Sequence, residues 1–249
     1  MTENIKPMRV RFAPSPTGRT HLGSGRTALY NYLLARQSGG SFILRIEDTD
    51  QKRYVAGAEE ELMQGLRWLG LAWDEGPDVG GEYAPYRQTE RRELYSKYAR
   101  QLIEQGDAYY CFCAAKEADN DQAKGRRQQH RDICPDRDAK LTRANQKVAD
   151  GTPHVIRFKM PREGTITVKD AIRGEITVEN STLDDYILVK SDGLPVYHLA
   201  VVIDDHLMAI THAIRTSEWL PTFPLHGHLY EAFGWQQPVW IHPSIFLKP

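Results

Sequence analysis

Apolar and polar positions change period several times along the first hundred residues, and each change predicts an element. Met8, Val10 and Phe12 alternate with Arg9 and Arg11, the period-two pattern of a strand over Met8 to Phe12. A Pro/Gly loop follows. From about Gly25, Ala28, Leu29, Leu33 and Leu34 recur at helical spacing until Gly39-Gly40 stops the helix. Phe42 to Ile46 reads as a second apolar strand. Leu62, Leu66 and Leu69 mark the inner face of a helix over 58–69, and Leu94, Tyr98 and Leu102 that of another over 90–105, closed by Gly106. Strands alternating with helices predict an α/β fold with a Rossmann-like, doubly wound parallel sheet.

The texture changes after Gly106. Residues 107–153 carry all the cysteines and a polar, basic stretch with little periodicity; 155–159, 165–169, 175–179 and 186–190 then read as strands between turn residues. We read 1–106 as the first half of the Rossmann-like domain and 107–190 as an inserted mixed α/β domain. Helix and strand signals resume at Leu194, so 191–249 is the second half.

A chain of 249 residues, 41% apolar and 26% charged, can bury a full core. Its net charge of −1 excludes a broad basic nucleic-acid face. The one dense basic run, Lys124 to Arg131, is either a set of phosphate contacts or a solvated loop. The opening residues Met-Thr-Glu-Asn-Ile-Lys-Pro lack the apolar core of a signal peptide. The longest apolar run, Leu199 to Ile203, stops at Asp204-Asp205, far short of a membrane span. Three cysteines grouped between Cys111 and Cys134 do not make a disulfide framework. A cytoplasmic protein with no membrane partner is expected.

The chemistry concentrates in residues 11–24, Arg-Phe-Ala-Pro-Ser-Pro-Thr-Gly-Arg-Thr-His-Leu-Gly-Ser. A strand, a loop and a helix start in that order set backbone N–H groups and the positive helix end where a phosphate can sit. The loop brings His21 to the same place. Arg45-Ile46-Glu47-Asp48-Thr49-Asp50 falls at the carboxyl end of the second strand, the edge where open α/β sheets bind ligands, and an acid there can hold an ammonium group. Arg11 and Arg215 can anchor the two carboxylates of a dicarboxylic amino acid.

Ser15-Pro16-Thr17-Gly18-x-x-His21-x-Gly23 closely resembles the first signature of the class I aminoacyl-tRNA synthetases, in the wording of the glutamyl branch. That resemblance, carried through the whole chain, implies ATP-dependent activation of L-glutamate with Mg²⁺ and its transfer to the 3′ end of tRNA(Glu). It implies that His21 and Ser24 serve catalysis and that Thr17, Gly18, His21 and Gly23 hold the nucleotide. Arg11, Ala13, Ser15, Glu47, Tyr197 and Arg215 would bind glutamate, with Glu47 on the α-ammonium group and Tyr197 on the side chain. Asp48 and Asp50 would brace the loop or serve the tRNA end. Cys111, Cys113, His130 and Cys134 resemble the structural Zn²⁺ site of some relatives, with His130 or Asp136 completing it. The inserted domain would meet the tRNA acceptor end, and nothing suggests more than a monomer.

The sequence departs from the family pattern in three places: Ser24 stands where His or Gly is usual, Val201 where Asn is common, and Thr216-Ser217 where Gly-Glu is usual. The family's lysine-rich second signature is expected beyond the stretch from Trp240 to Pro249, so the isolated chain is expected to bind its ligands but to activate glutamate poorly. Two alternatives stay open on the sequence. One is a glutamyl-queuosine tRNA(Asp) synthetase; the other is a non-catalytic module that keeps the glutamate and nucleotide pockets.

Overall fold

In the computed structural model, which describes residues 6–18, 21–113 and 129–245, the alternation around Val10 becomes β1 (Arg9–Phe12). The chain returns through α1 (Leu22–Ser38) to β2 (Ser41–Leu44). The two strands pair in parallel from Arg9 opposite Ser41 to Phe12 opposite Leu44, and a parallel pair needs such a crossover. The helix begins at Leu22, ahead of Gly25, because His21 caps it. Its inner face is Ala28, Asn31, Ala35 and Ser38. Leu29 and Leu33, part of the helical spacing read from the sequence, are 40% and 51% exposed. Small side chains let the helix lie close to the sheet, and the leucines are turned away.

The next helix, α2 (Ala58–Trp68), buries Leu62, Met63 and Leu66 against β1, β2 and α1; Leu69, expected inward, caps it and is exposed. Gly106, at φ 89°, ends α3 (Arg92–Gln105), which buries Tyr95, Ala99, Leu102 and Ile103. Leu94 and Tyr98 sit at the rim of that face. Beyond it, β3 (Ala108–Cys111) pairs antiparallel with β4 (Val155–Phe158), and the short helices α4 (His130–Ile133) and α5 (Leu141–Ala149) fall between them in sequence. A hairpin of β5 (Thr165–Asp170) and β6 (Gly174–Glu179) comes next, then β7 (Ile187–Val189), which closes the small sheet β3-β4-β7. The chain finishes with α6 (Tyr197–Leu207), β8 (His212–Ile214), α7 (Phe223–Phe233) and β9 (Val239–Ile241).

The main sheet has the order β2-β1-β8-β9-β5-β6, and β6 is its antiparallel edge. The sequence pattern assigns 165–179 to the inserted segment; the structure joins this hairpin to the main sheet, with Asp170 opposite Trp240. Packing explains the placement. Ile166, Val168 and Asp170 are the buried alternates of β5, and α7 lies so close above them that a Cβ on Gly227 would sit 2.6 Å from Val168 and 2.8 Å from Ile166. One continuous core then runs from Ile156, Phe158 and Leu188 of the small sheet through α3, α6 and α7 to Trp240. Among the described residues, no helix is long and apolar enough to cross a membrane.

Candidate active site

His21 folds back over the helix it caps. Its Nδ1 accepts from the Ser24 N–H at 3.3 Å, and Ser24 Oγ lies 3.4 Å from Nε2. The ring covers Gly23 so closely that a Cβ there would stand 3.0 Å from Cε1, which accounts for glycine in the His-x-Gly pattern. No acid occupies the first turn of α1, so its positive end stays uncompensated and suited to an anion. Thr17 and Gly18 are exposed beside the β1 exit; Arg19 and Thr20 lie outside the described residues. The loop's inner side is fixed by Glu47 N–H donating to Pro14 O at 2.9 Å and Arg45 N–H to Phe12 O at 3.0 Å. Ala13 and Ser15 are thereby held next to the end of β2.

Behind the loop, three cations and three anions are buried together. Asp205 Oδ1 accepts from Arg11 Nε at 2.8 Å and from Arg45 Nη1 at 2.9 Å, and Arg45 Nη2 donates to Glu47 Oε1 at 3.2 Å. Asp204 accepts from Arg91 Nε and Tyr95 Oη, each at 2.8 Å, and from Gln88 Nε2 at 2.9 Å. Glu47 has the weakest compensation, because it shares Arg45 with Asp205. Burial therefore outweighs the Arg45 and Arg11 charges and pushes its carboxyl up to about 7. A ligand cation beside Glu47 would offset that burial. Asp48 braces the loop through Thr89, accepting from its N–H at 2.9 Å and its hydroxyl at 2.6 Å. Asp50 pairs with Arg53.

Sequence reasoning passed over Arg45, Arg91, Asp204 and Asp205. The overlooked signal is two consecutive acids within the apolar pattern of α6, where both are wholly buried and so require cations. Helical spacing puts Tyr197, Val201 and Asp205 on one face of α6.

Arg215, just past β8, is also buried. Arg11 Nη1 donates to the neighbouring Ile214 O at 3.1 Å, which ties the two arginines together. Arg215 Nη1 lies 3.5 Å from the Tyr197 hydroxyl, while its Nη2 is buried without a hydrogen-bond partner. Burial pushes the Tyr197 hydroxyl up, against the charge of Arg215. Arg11, Glu47, Tyr197 and Arg215 thus converge; His21 and Ser24 form a separate group at the start of α1. An orphaned guanidinium nitrogen beside a tyrosine can accept a carboxylate, and a carboxyl with weak compensation can accept a cation.

Residues 7–248 match the family model of the class I tRNA synthetases (E and Q), catalytic domain. The chain belongs to this synthetase family. The glutamate–tRNA ligase of Amoebophilus asiaticus is 51% identical over 98% of this chain and 50% of its own length. That of Fusobacterium nucleatum is 49% identical over 95% of this chain and 47% of its own. The crystal structure of a glutamate tRNA ligase from Elizabethkingia meningosepticum, in complex with its amino acid, superposes with a TM-score of 0.93 at 48% identity, covering 98% of this chain and 50% of that one. The chain spans about half the length of the curated relatives it matches.

In this synthetase domain the small sheet carries the second cluster. Cys111, Cys113, His130 and Cys134 present ligand atoms that all lie within 4.8 Å of one another. The sulfur separations are 3.6 Å for Cys113–Cys134 and 3.7 Å for Cys111–Cys134, and Cys111 Sγ is 3.3 Å from His130 Nε2. Zn–S bonds of about 2.3 Å at tetrahedral angles put sulfurs roughly 3.8 Å apart, so the spacing fits zinc. Asp136 is occupied elsewhere: its carboxylate accepts from Phe112 N at 2.8 Å and pairs with Lys147. Of the basic run over 124–131, residues 124–128 lie outside the described residues. Arg131 is buried, donating to Asn180 O and Ser181 O, each at 2.9 Å, so its role is internal and it is not a phosphate contact.

Proposed function

We propose that this chain is the part of a glutamate–tRNA ligase that binds glutamate and ATP and forms glutamyl-adenylate. The observation that carries this reading is the buried pair of Arg215 and Tyr197 facing the same way as Glu47 and Arg11. Since Arg215 and Tyr197 touch, they read the same end of the ligand, the side-chain carboxylate, and Glu47 takes the α-ammonium group. A neutral amide against Arg215 would leave a buried guanidinium without a counter-charge, at a cost of about 3–5 kcal/mol, which selects glutamate over glutamine. Val201 offers no hydrogen bond where the family commonly has an amide, so this discrimination rests on the arginine.

In the reaction, an oxygen of the glutamate α-carboxylate attacks the α-phosphorus of ATP, and the bond to the pyrophosphate oxygen breaks. Charge gathers on the phosphoryl oxygens at the start of α1. His21, with its ring held by Ser24, and the uncompensated helix end stabilise that charge, while Thr17 and Gly18 line the same loop. Mg²⁺, the usual companion of ATP, would neutralise phosphate charge when bound. A terminal ribose hydroxyl of tRNA(Glu) then attacks the activated carbonyl and AMP leaves. The segment bearing β3, β4 and β7 would meet that acceptor end, and a zinc ion on Cys111, Cys113, His130 and Cys134 would hold it in shape. A cytoplasmic monomer suits this role.

Calorimetric titration with a sulfamoyl analogue of glutamyl-adenylate tests the reading. Binding that is lost in Arg215→Ala and in His21→Ala supports it; a wild-type chain that binds neither this analogue nor glutamate overturns it.

A further inference from the structure

Arg215 is held from behind by a relay of buried and half-buried groups. Its Nε lies 2.9 Å from His242 Nε2, and His242 Nδ1 lies 2.7 Å from Asp170 Oδ2. Its Nη1 lies 2.6 Å from His226 Nδ1, and His226 Nε2 is 3.0 Å from His198 Nδ1. The Trp240 ring stacks on the guanidinium at 4.5 Å. His226, His242 and Asp170 are fully or almost fully buried.

A guanidinium can only donate, so the chain of bonds has one direction. His242 must offer a lone pair at Nε2, so its proton sits on Nδ1 and is donated to Asp170. His226 must offer Nδ1, so its proton sits on Nε2 and is donated to His198. Two edges of the guanidinium are thus fixed in plane and one face is covered. What stays without a partner is Nη2, beside the Nη1 that the Tyr197 hydroxyl meets at 3.5 Å, so a carboxylate can reach the guanidinium there.

We propose that Asp170 and His242 are positioning residues for Arg215. Together they dictate which edge of the guanidinium meets the substrate, and so set the preference for a carboxylate over an amide from outside the pocket. This inference rests on the assignment of Arg215 to the glutamate side chain. Asp170 comes from β5, whose hairpin the sequence pattern places in the inserted segment, so that hairpin takes part in amino-acid selection.

The substitution Asp170→Asn is selective. Asp170 Oδ1 accepts from Ile172 N and Arg173 N, each at 2.9 Å. Asparagine must keep its oxygen there, so its amide N–H faces His242 Nδ1. That moves the imidazole proton to Nε2, against the Arg215 N–H.

The test compares sulfamoyl analogues of glutamyl- and glutaminyl-adenylate in calorimetric titrations of the full chain. Wild type should favour the glutamyl compound. Asp170→Asn and His242→Leu should bind it about tenfold more weakly or worse, with little change for the glutaminyl compound, so the ratio collapses. His242→Gln, whose side-chain oxygen can accept from Arg215, should restore the ratio to within about threefold of wild type. Equal loss for both compounds, or an unchanged ratio in folded Asp170→Asn, overturns the proposal. Should the variants fail to fold, ¹⁵N NMR of wild-type histidines decides it: the Nδ1–H tautomer at His242 is required, and Nε2–H or imidazolium refutes it. A wild type that binds neither compound removes the functional reading and this inference with it.

Discussion

At the scale of single residues, Gly23 and Glu47 make the sharpest claims. A methyl group at Gly23 meets the imidazole of His21, so Gly23→Ala should weaken ATP or adenylate-analogue binding about tenfold while leaving the melting temperature near wild type, readable by titration and calorimetry side by side. Glu47, poised at about 7, must be ionised to hold an ammonium group. Glutamate affinity should therefore climb from pH 6 to pH 8, by about tenfold per unit below the midpoint, and Glu47→Gln should both weaken binding and flatten that climb. An affinity independent of pH in wild type would show that this carboxyl does not face the substrate. The sequence makes Arg11, His21, Glu47, Tyr197 and Arg215 conspicuous because each sits in a short local pattern. It hides Arg45, Asp205, Asp170 and His242, whose meaning lies in partners far along the chain: Arg11 and Asp205 are 194 residues apart and Asp170 and His242 are 72 apart.

Elements show the same division. The strands and helices of the first hundred residues are readable from period alone, but the orientation of α1 is not, since counting leucines points to the wrong face. Leu33→Ser should change stability by no more than about 0.5 kcal/mol, whereas Ala35→Leu, forced against the sheet, should cost about 1–3 kcal/mol in denaturant unfolding. The histidines of α6, α7 and the β9 exit make a second element-scale prediction. Burial first, then Arg215, holds His198 and His242 down to about 4 and His226 well below its usual value. The unfolded chain protonates these near 6.5 while the folded chain refuses, so stability should fall as pH drops from 6.5 toward 4. Glu47 acts in the opposite sense, because the folded chain keeps a proton between 4.5 and about 7 that the unfolded chain has lost. Three imidazoles outweigh one carboxyl. Melting temperatures should decline between pH 7 and pH 5, and Glu47→Gln should make that decline steeper.

For the molecule as a whole, the sequence conveys an α/β frame with an interruption but not where the interruption ends. The hairpin of β5 and β6 looks like any other polar-edged hairpin; its place on the main sheet follows from α7 descending onto Val168 through Gly227, a contact no local pattern displays. The cluster of Cys111, Cys113, His130 and Cys134 joins the end of β3 to α4. One equivalent of zinc is expected by elemental analysis, and a strong chelator or Cys134→Ser should lower the melting temperature; a metal-free protein with unchanged melting would disprove the site.

The strand order has a consequence for biosynthesis. β1 pairs with β8, and Arg11 and Arg45 share Asp205 as a counter-ion. A nascent chain whose first two hundred residues have left the ribosome therefore lacks the acid that Arg11 pairs with and has a sheet missing its middle. Closing the sheet over the amino-terminal half must therefore wait until β8 has emerged, some two hundred residues after β1.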